Sequence, residues 1–430
     1  MGAVMGSKNL KAIAVRGHGR TEVADRDKLR ELSRWLAQRL KGLWAHEYGT
    51  GSHLDAQVAS GNLPIRNFRD GDFPNAVALS AETIKDTVRI GMEGCYACPV
   101  RCKKIVKIDE PLRVDPAYGG PEYETLAALG SNCGIDDLKA VCKANELCNR
   151  YSLDTISTGA SIAFAMECYE NGLLTDEDTE GLKLNFGNAE AMIKMVDMIG
   201  QRKGLGDLLA EGVKRAAEKI GKGAEKFAVH VKGQEVPMHE PRFKRALGIG
   251  YAVSPTGADH MHNLHDTILT VRGPQLDNLA ALGILEPVPL EDLSPRKVRA
   301  FIYFVHWRVL DNCLLMCDFL PWDYIQKTSI VKAVTGWNTT AWELMKVGER
   351  VTNMARVFNI REGFKKEDDW LPDRFFHPKT SGTLSETAVD PGKLRDAIDT
   401  YYKMMGWDEN GVPTKEKLEE LNIGWAANLI

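Results

Sequence analysis

The chain has 430 residues, of which 44% are hydrophobic and 27% are charged, and its formal net charge at pH 7 is −4. This composition is typical of a globular protein, and the nearly balanced charge does not favour binding to nucleic acid or to an anionic membrane surface. At this length a single hydrophobic core has stopped growing, so two domains are expected.

The cysteine count indicates a reducing compartment. There are nine cysteines, an odd number, and the first residues lack the separate basic, apolar and cleavage regions of a signal peptide. No apolar run approaches the roughly 20 residues that span a bilayer. We therefore expect a cytoplasmic protein without membrane or nucleic-acid partners, whose thiols are free to bind a metal.

Helical periodicity dominates the chain after one opening strand, predicted over residues 11–15. Helices are predicted from a cap at Asp136, over 159–170, from Asn188 to Gly200, and over 207–220, with a further strand over 227–231. Residues 361–390 are predicted as a long surface loop. The expected fold class is mainly α, with two helical lobes divided near residues 232 and 233. A single strand cannot form a sheet. Either this opening strand pairs with another polypeptide, or the chain begins in the middle of a domain.

Three cysteines stand close together in the segment GCYACPVRC, at positions 95, 98 and 102. The Cys-x2-Cys-x3-Cys spacing suits three corners of a [4Fe–4S] cluster, in which each iron takes one terminal thiolate. Zinc is the alternative, but it usually uses two separated Cys-x2-Cys pairs. The fourth ligand stays open on spacing alone, among Cys133, Cys142, Cys148, Cys168, Cys313 and Cys317.

Three further segments carry candidate site residues, each with a simpler structural explanation. The histidine cluster His260, His262 and His265 could bind a metal or lie in an ordinary loop. The acidic residues Glu122 and Glu124 could be catalytic or could mark a solvated helix start. Asp154 could act in a site or serve only as a helix N-cap. Each signal is weak when it is taken singly.

Taken together, these segments resemble one known family. The chain contains, in order, MGSKNLKAIAVRG, CYACPVRCKK, GPEYETLAALGSNCGIDD, ANELCNRYSLDTISTG, KGQEVPMHEPR, SPTGADHMHNLHD, FNIREGFKKEDDWLPDRF and YYKMMGWDENGVPT. This order is similar to that of the aldehyde:ferredoxin oxidoreductase family, over nearly the whole chain. The resemblance implies an enzyme that oxidises an aldehyde to a carboxylic acid and passes electrons to ferredoxin.

The resemblance also implies the cofactors and the domains. They are one [4Fe–4S] cluster and a tungsten (or molybdenum) bis-pterin, in a protein that forms homo-oligomers. Residues 1–18 would be the end of an N-terminal β domain, 19–232 a helical domain with the cluster loop, and 233–430 a second helical domain. The cluster ligands would be Cys95, Cys98, Cys102 and Cys317, so that the cluster lies at a domain junction with Cys313 as a packed neighbour.

The family's pterin-binding motif, Asp-x-x-Gly-Leu-Asp, is matched in part by two segments. In NRYSLD, Leu153 and Asp154 are kept, while Asn149 and Ser152 replace the usual Asp and Gly. The second copy, NCLLMC, has Asn312 in place of Asp, no glycine, and Met316 at the leucine position. The loss of both glycines leaves less room for close backbone approach, which weakens the inference of pterin binding.

Glu124 and His260 match the family's acid and histidine beside the metal. A carboxylate can take a proton from water or from an aldehyde hydrate, and a histidine can hydrogen-bond the carbonyl oxygen or relay the proton. We expect the two residues to share one cavity, from opposite lobes and near Asp154. His262 stands where many family members have a basic residue and is a further candidate cofactor contact.

The family has a β-rich domain before the MGSKN segment, and this chain begins at that domain's last strand. The resemblance therefore implies that these residues hold the cluster but bind the pterins poorly by themselves, and that a separate β-domain chain is a possible partner. Two alternatives stay open beside aldehyde oxidation. One is a tungsten-bearing subunit of a larger reductase complex, and the other is an iron–sulfur electron carrier without pterin activity.

Overall fold

The structure is a computed structural model that describes residues 2–261 and 263–430. It is mainly helical, as predicted, and the β-sheets in the described residues are two antiparallel hairpins. The helices are α1 (Gly2–Ser7), α2 (Arg26–Arg39), α3 (Trp44–Glu47), α4 (Leu54–Ala59), α5 (Ala81–Thr87), α6 (Tyr123–Leu129), α7 (Leu138–Tyr151), α8 (Thr155–Glu170), α9 (Ala189–Gln201), α10 (Leu205–Leu209), α11 (Val213–Ile220), α12 (Arg245–Val253), α13 (Pro274–Leu279), α14 (Pro295–Cys313), α15 (Tyr324–Thr335), α16 (Ala341–Arg361), α17 (Pro391–Met405) and α18 (Lys415–Glu420).

The two hairpins differ in length and in what they connect. In the first, β1 (Arg89–Glu93) pairs with β2 (Lys103–Val106), and Glu93 lies opposite Lys103. In the second, β3 (His230–Val231) pairs with β4 (Gln234–Glu235). The first hairpin matters most for function, because residues 94–102, which join its strands, carry the three clustered cysteines.

Side-chain caps set the starts of the predicted helices. Asp137, and not Asp136 as predicted, caps α7 by accepting hydrogen bonds from the backbone N–H groups of Lys139 and Ala140. Helix α8 starts at residue 155 rather than 159, because Asp154 caps it through the Ser157 N–H at 2.7 Å. The helix predicted over 207–220 is two helices, α10 and α11, separated at Gly212, which has a φ of 84°.

Three other predictions require correction. Residues 11–15 form no strand, and no described residue pairs with them, so the hydrogen bonds that a strand requires are missing. The strand predicted over 227–231 is reduced to β3. The segment 361–390 is not a surface loop, because its apolar side chains join the core, with Leu371 and Phe375 among the buried residues.

Close helix packing fixes the position of α6, the helix that carries Glu124. Gly159 of α8 lies against α6, and a Cβ atom there would be 2.5 Å from the backbone carbonyl carbon of Ala128. No larger side chain fits at that distance without moving one of the two helices. The same hydrophobic core continues on both sides of residues 232 and 233, which form the tight turn between β3 and β4.

No helix among the described residues has the length and apolar character that a bilayer-spanning segment would need.

Candidate active site and cysteine loop

The carboxylate of Glu124 lies in the first turn of α6, at the centre of a cluster of histidines. Its Oε2 atom accepts a hydrogen bond of 2.8 Å from the backbone N–H of Met238. Its Oε1 atom lies 3.1 Å from His239 Nε2 and 3.3 Å from His260 Nε2. Oε1 is buried, and neither of these contacts has full hydrogen-bond geometry. This oxygen therefore keeps acceptor capacity for a further partner.

The predicted meeting of Glu124 and His260 is thus present as a direct contact. The two side chains come from segments more than 100 residues apart, and each is only 14% exposed. Asp154 itself is exposed, but the next residue, Thr155, hydrogen-bonds through its hydroxyl to that of Thr125 at 2.9 Å. The capped start of α8 therefore lies beside the start of α6, as expected.

Aromatic rings enclose this carboxylate. Tyr123 stacks on His239 with 5.0 Å between ring centroids, and its hydroxyl donates to the Met238 carbonyl at 2.7 Å. His265 meets His239 edge to face at 4.5 Å. Burial lowers the pKa of both His239 and His265 well below the usual value, with Lys244 acting in the same direction. Burial also raises the pKa of Tyr123. Neutral rings therefore surround an acidic side chain.

The loop between β4 and α12 carries Met238, His239 and Lys244, and buried ion pairs hold it in place. Glu240 pairs with Arg242 at 2.8 Å and with Lys379 at 3.3 Å, and all three side chains are at most 1% exposed. A charged pair at this depth is costly to break, because the remaining charge would be left without a partner. The position of the histidine loop is therefore tightly specified.

The buried side chain of Lys104 links α6, the helix that carries Glu124, to the cysteine loop. Lys104, the second residue of β2, is fully buried and donates to the Thr50 carbonyl at 2.8 Å and to Glu122 at 3.2 Å. The Thr50 hydroxyl also donates to Glu122 and accepts from the Tyr123 N–H at 2.8 Å. Cys102 and Glu124 each lie two residues along the chain from this junction.

The cysteine loop is folded as a series of tight turns. The Cys98 N–H donates to the Cys95 carbonyl at 3.0 Å, and Ala97 and Arg101 both have positive φ, at 55° and 50°. Left-handed residues are uncommon outside glycine, so the loop takes this shape against local preference. The three thiols are exposed or half-buried and none is in a disulfide.

The candidates for the fourth cluster ligand differ in their burial. Cys133, Cys142, Cys148 and Cys168 are fully buried among core side chains, where burial raises the pKa of each thiol. Cys317 lies near the loop, since it and Cys98 help to raise the pKa of Cys102, after burial and the charge of Glu122. The nearby guanidinium of Arg308 can offset negative charge on Cys317. Cys313, expected as a packed neighbour, is instead exposed at the end of α14.

The two segments that resemble the pterin motif have the same backbone structure. Each follows a helix, α7 or α14, and each has a left-handed residue where the family has glycine, with φ of 57° at Ser152 and 56° at Leu315. In each the next N–H returns to the helix, from Leu153 to the Cys148 carbonyl at 2.8 Å and from Met316 to the Asp311 carbonyl at 2.9 Å. These are Schellman-type ends, so the shape that glycine normally provides is kept without it.

The remaining predicted contacts vary in exposure. Asn149 is exposed and donates to the Tyr118 carbonyl at 3.0 Å, and Asn312 is exposed in the last turn of α14. Leu153 and Asp154 line a cavity of 430 Å³ together with Ser157 and Thr158. His262 lies outside the described residues. Asn149, Asp154 and Asn312 are therefore accessible from the protein surface.

Sequence reasoning missed two residues of the cluster, His239 and Lys244. Both lie in or next to the segment KGQEVPMHEPR, which contributed to the family resemblance but marked neither residue as part of a site. His239 has no other histidine, cysteine or acidic residue at a spacing that is typical of a catalytic or metal site. Only the fold brings His239 to Glu124, across 115 residues of sequence.

Comparison with known proteins identifies the family of the chain. The family description "Aldehyde ferredoxin oxidoreductase, domains 2 & 3" matches residues 29–423. The chain is 36% identical to the tungsten-containing aldehyde ferredoxin oxidoreductase of Pyrococcus horikoshii, over 98% of this chain and 68% of that protein. The corresponding protein of Thermococcus kodakarensis is also 36% identical, with the same coverage.

Two further relatives are named for other activities. The WOR-like subunit of an aliphatic sulfonate oxidoreductase from Pyrococcus furiosus is 32% identical, over 99% of this chain and 66% of that protein. The solved active-site complex BamBC of benzoyl coenzyme A reductase, with bound 1,5-dienoyl-CoA, superimposes with a TM-score of 0.75 at 25% identity, over 99% of this chain and 69% of that chain.

The fold and these relatives define a mainly helical oxidoreductase. The chain belongs to the aldehyde ferredoxin oxidoreductase family.

The left-handed backbone conformation of Leu315 leads to a prediction about stability. Leu315 is 94% exposed, so Leu315→Gly loses no packing and relieves a conformation that costs a non-glycine residue about 1–2 kcal/mol. Added chain entropy in the unfolded state offsets about 0.4–1 kcal/mol. We expect Leu315→Gly to raise the free energy of unfolding by about 0.5–1 kcal/mol in chemical denaturation.

The matched control is the preceding residue. Leu314 has a φ of −88° and packs against a buried cluster, so Leu314→Gly should lower the free energy of unfolding. Equal destabilisation by both variants would show that the backbone at residue 315 is not left-handed.

Proposed function

We propose that this chain is the catalytic part of a tungsten–pterin oxidoreductase that oxidises an aldehyde to a carboxylic acid. Electrons would leave through a [4Fe–4S] cluster to ferredoxin or a similar acceptor. The observation that carries the proposal is the direct contact of the largely buried side chains of Glu124 and His260, on a helix linked to a cysteine loop of cluster-binding spacing. The names of the relatives support tungsten and the aldehyde reaction.

The reaction requires the proton chemistry that these side chains can supply. An aldehyde and one water give a carboxylic acid, two protons and two electrons. Tungsten held by pterins would accept the electron pair. Glu124 Oε1, which keeps acceptor capacity, would take the proton from water or from the aldehyde hydrate. His260, 3.3 Å away, would hydrogen-bond the substrate oxygen or carry the proton onward.

The cluster ligands in this proposal are Cys95, Cys98, Cys102 and Cys317. The exposed or half-buried thiols, the tight turns of the loop and the electrostatic influence of Cys317 on Cys102 support this set. The pterins would contact the two Schellman-type helix ends, with Asn149, Leu153, Asp154, Asn312, Met316 and His262 as candidate contacts. The division into domains at residues 1–18, 19–232 and 233–430 belongs to the same proposal.

The alternative is a reductase subunit in the same family with another substrate. It is favoured by the likeness to the benzoyl coenzyme A reductase complex and to the sulfonate oxidoreductase subunit. Oxidation of aldehydes, reduction of an aromatic thioester and turnover of a sulfonate can be assayed with one dye as electron carrier. The substrate with the highest kcat/KM decides between the two candidates.

Mutation of the cluster ligands tests the thiol assignment. Cys317→Ser should lose most of the protein's iron, because serine is a poor terminal ligand for iron, and Cys313→Ser should keep it. Iron analysis of the two purified variants makes the comparison, with far-ultraviolet circular dichroism as the check on folding. Equal iron loss in both variants contradicts the assignment.

Replacement of the proposed base tests the active site. Glu124→Gln keeps the shape and the hydrogen bond to Met238 but cannot accept a proton, so kcat should fall by about 10²–10⁴-fold. Iron and tungsten contents should be unchanged. The matched control is Glu190→Gln, at an exposed position in the first turn of α9, which should keep the wild-type rate. A Glu124→Gln enzyme with wild-type kcat would rule out Glu124 as the base.

A further inference from the structure

The ammonium group of Lys244 lies between two imidazole rings of the site. The side chain is 6% exposed, and its Nζ atom is 3.3 Å from His239 Nδ1 and 3.1 Å from His265 Nδ1. A protonated lysine has three donors and no acceptor. Each ring nitrogen that faces it must therefore present a lone pair.

The backbone fixes the tautomer of His265 independently. His265 Nε2 lies 3.1 Å from the carbonyl oxygen of His260, which can only accept a hydrogen bond. The proton of the neutral ring is therefore on Nε2, and Nδ1 is free to accept from Lys244. The two contacts of this ring agree on one tautomer.

A second donor points to the same tautomer for His239. Asn62 Oδ1 accepts from the backbone N–H of Glu240 at 3.3 Å, which orients the amide so that its Nδ2 faces His239 Nδ1 at 3.4 Å. Lys244 and Asn62 thus both present N–H groups to Nδ1. The proton of His239 is left on Nε2, the atom 3.1 Å from Glu124 Oε1.

We propose that Lys244 is a positioning residue that holds His239 as its Nε2–H tautomer, so that this ring presents an N–H, and not a lone pair, to Glu124 Oε1 and restrains the position of that oxygen. Were the proton on Nδ1, the Nε2 lone pair would face the carboxylate oxygen, and the two acceptors would repel each other. The catalytic consequence of the His239 tautomer rests on the function proposed above, but the tautomer itself does not.

The charges of the site are consistent with this role. Burial lowers the pKa of Lys244 to about 8, against the opposing influence of Asp266 and Glu124, so that the amine is still mostly protonated at pH 7. Burial keeps both histidines neutral, as the tautomer requires. Lys244 reaches the proposed base only through His239, which distinguishes it from a residue that contacts substrate.

Nitrogen-15 NMR of protein labelled in its histidine rings tests the tautomer without any assay of activity. His239 and His265 are assigned by the loss of their signals in His239→Gln and His265→Gln. In the wild-type protein both rings should be Nε2–H. In Lys244→Met, His239 should become a mixture of tautomers, while His265, held by the His260 carbonyl, should keep its own.

A control variant separates this effect from general destabilisation. Lys232→Met also removes a buried ammonium, which pairs with Asp369 at 2.7 Å, but Lys232 does not contact the site. It should leave the His239 signal unchanged. The proposal is overturned if wild-type His239 carries its proton on Nδ1, or if Lys244→Met leaves it a pure Nε2–H tautomer.

Kinetics test the consequence of the tautomer. Lys244→Met should lower kcat by about tenfold, less than the 10²–10⁴-fold range of proton-transfer catalysis because the proposed base itself is kept, with KM within about twofold of wild type. In Lys244→Ala, ethylammonium should restore part of the rate and ethanol should not. An unchanged kcat, or equal rescue by both compounds, overturns the positioning role. If the wild-type enzyme oxidises no aldehyde, the proposed function fails, and the NMR result still decides the tautomer.

Discussion

The buried ammonium of Lys104 is the constraint on which the site geometry depends. It satisfies the Thr50 carbonyl and Glu122 together, in the strand that leaves the cysteine loop and beside the helix that carries Glu124. Burial lowers the pKa of this lysine, which the charge of Glu122 opposes. Without the ammonium, the Thr50 carbonyl would lose its partner at about 1–3 kcal/mol, and the Glu122 carboxylate, which is partly exposed, would lose its ion pair at a smaller cost. The loop and the helix are therefore held as one unit.

Close backbone contact reinforces the same junction. Gly49, with a φ of 69°, lies where a Cβ atom would be 2.6 Å from the Cys102 carbonyl oxygen and 2.8 Å from Lys104 Nζ. No other residue fits at that distance, and glycine adopts this backbone freely. The other wall of the site depends on the Glu240–Arg242–Lys379 ion pairs, which hold the loop of His239 and Lys244 against Glu124. In the proposed function, proton chemistry and electron exit would share this one rigid frame, which holds the reacting groups in a fixed orientation.

Much of this could be predicted from the sequence, because it depends on local pattern. Helical periodicity and capping residues gave α7, α8 and α9 to within a few residues, and the thiol spacing marked the cysteine loop. The resemblance of whole segments to the family indicated Glu124 and His260 as candidate site residues. What could not be predicted depends on long-range packing. The break at Gly212 and the burial of residues 361–390 follow from tertiary contacts, and nothing in the local sequence distinguishes His239 or Lys244.

The family motif also shows where sequence alone misleads. Two missing glycines weakened the case for a pterin site, yet Ser152 and Leu315 adopt the left-handed backbone that glycine would. A helix end stabilised by its own hydrogen bonds can impose that conformation on other residues at a modest cost. The backbone shape was kept although the residue type was not.

The most direct test of the account is anomalous X-ray diffraction from crystals of the metal-loaded protein, measured at the iron and tungsten absorption edges. The account predicts an iron peak enclosed by the thiols of Cys95, Cys98, Cys102 and Cys317. It predicts a separate tungsten peak beside Glu124 and His260. An iron peak without Cys317 beside it, or tungsten bound away from Glu124, would contradict the central claim that the cysteine loop and the buried carboxylate serve one reaction.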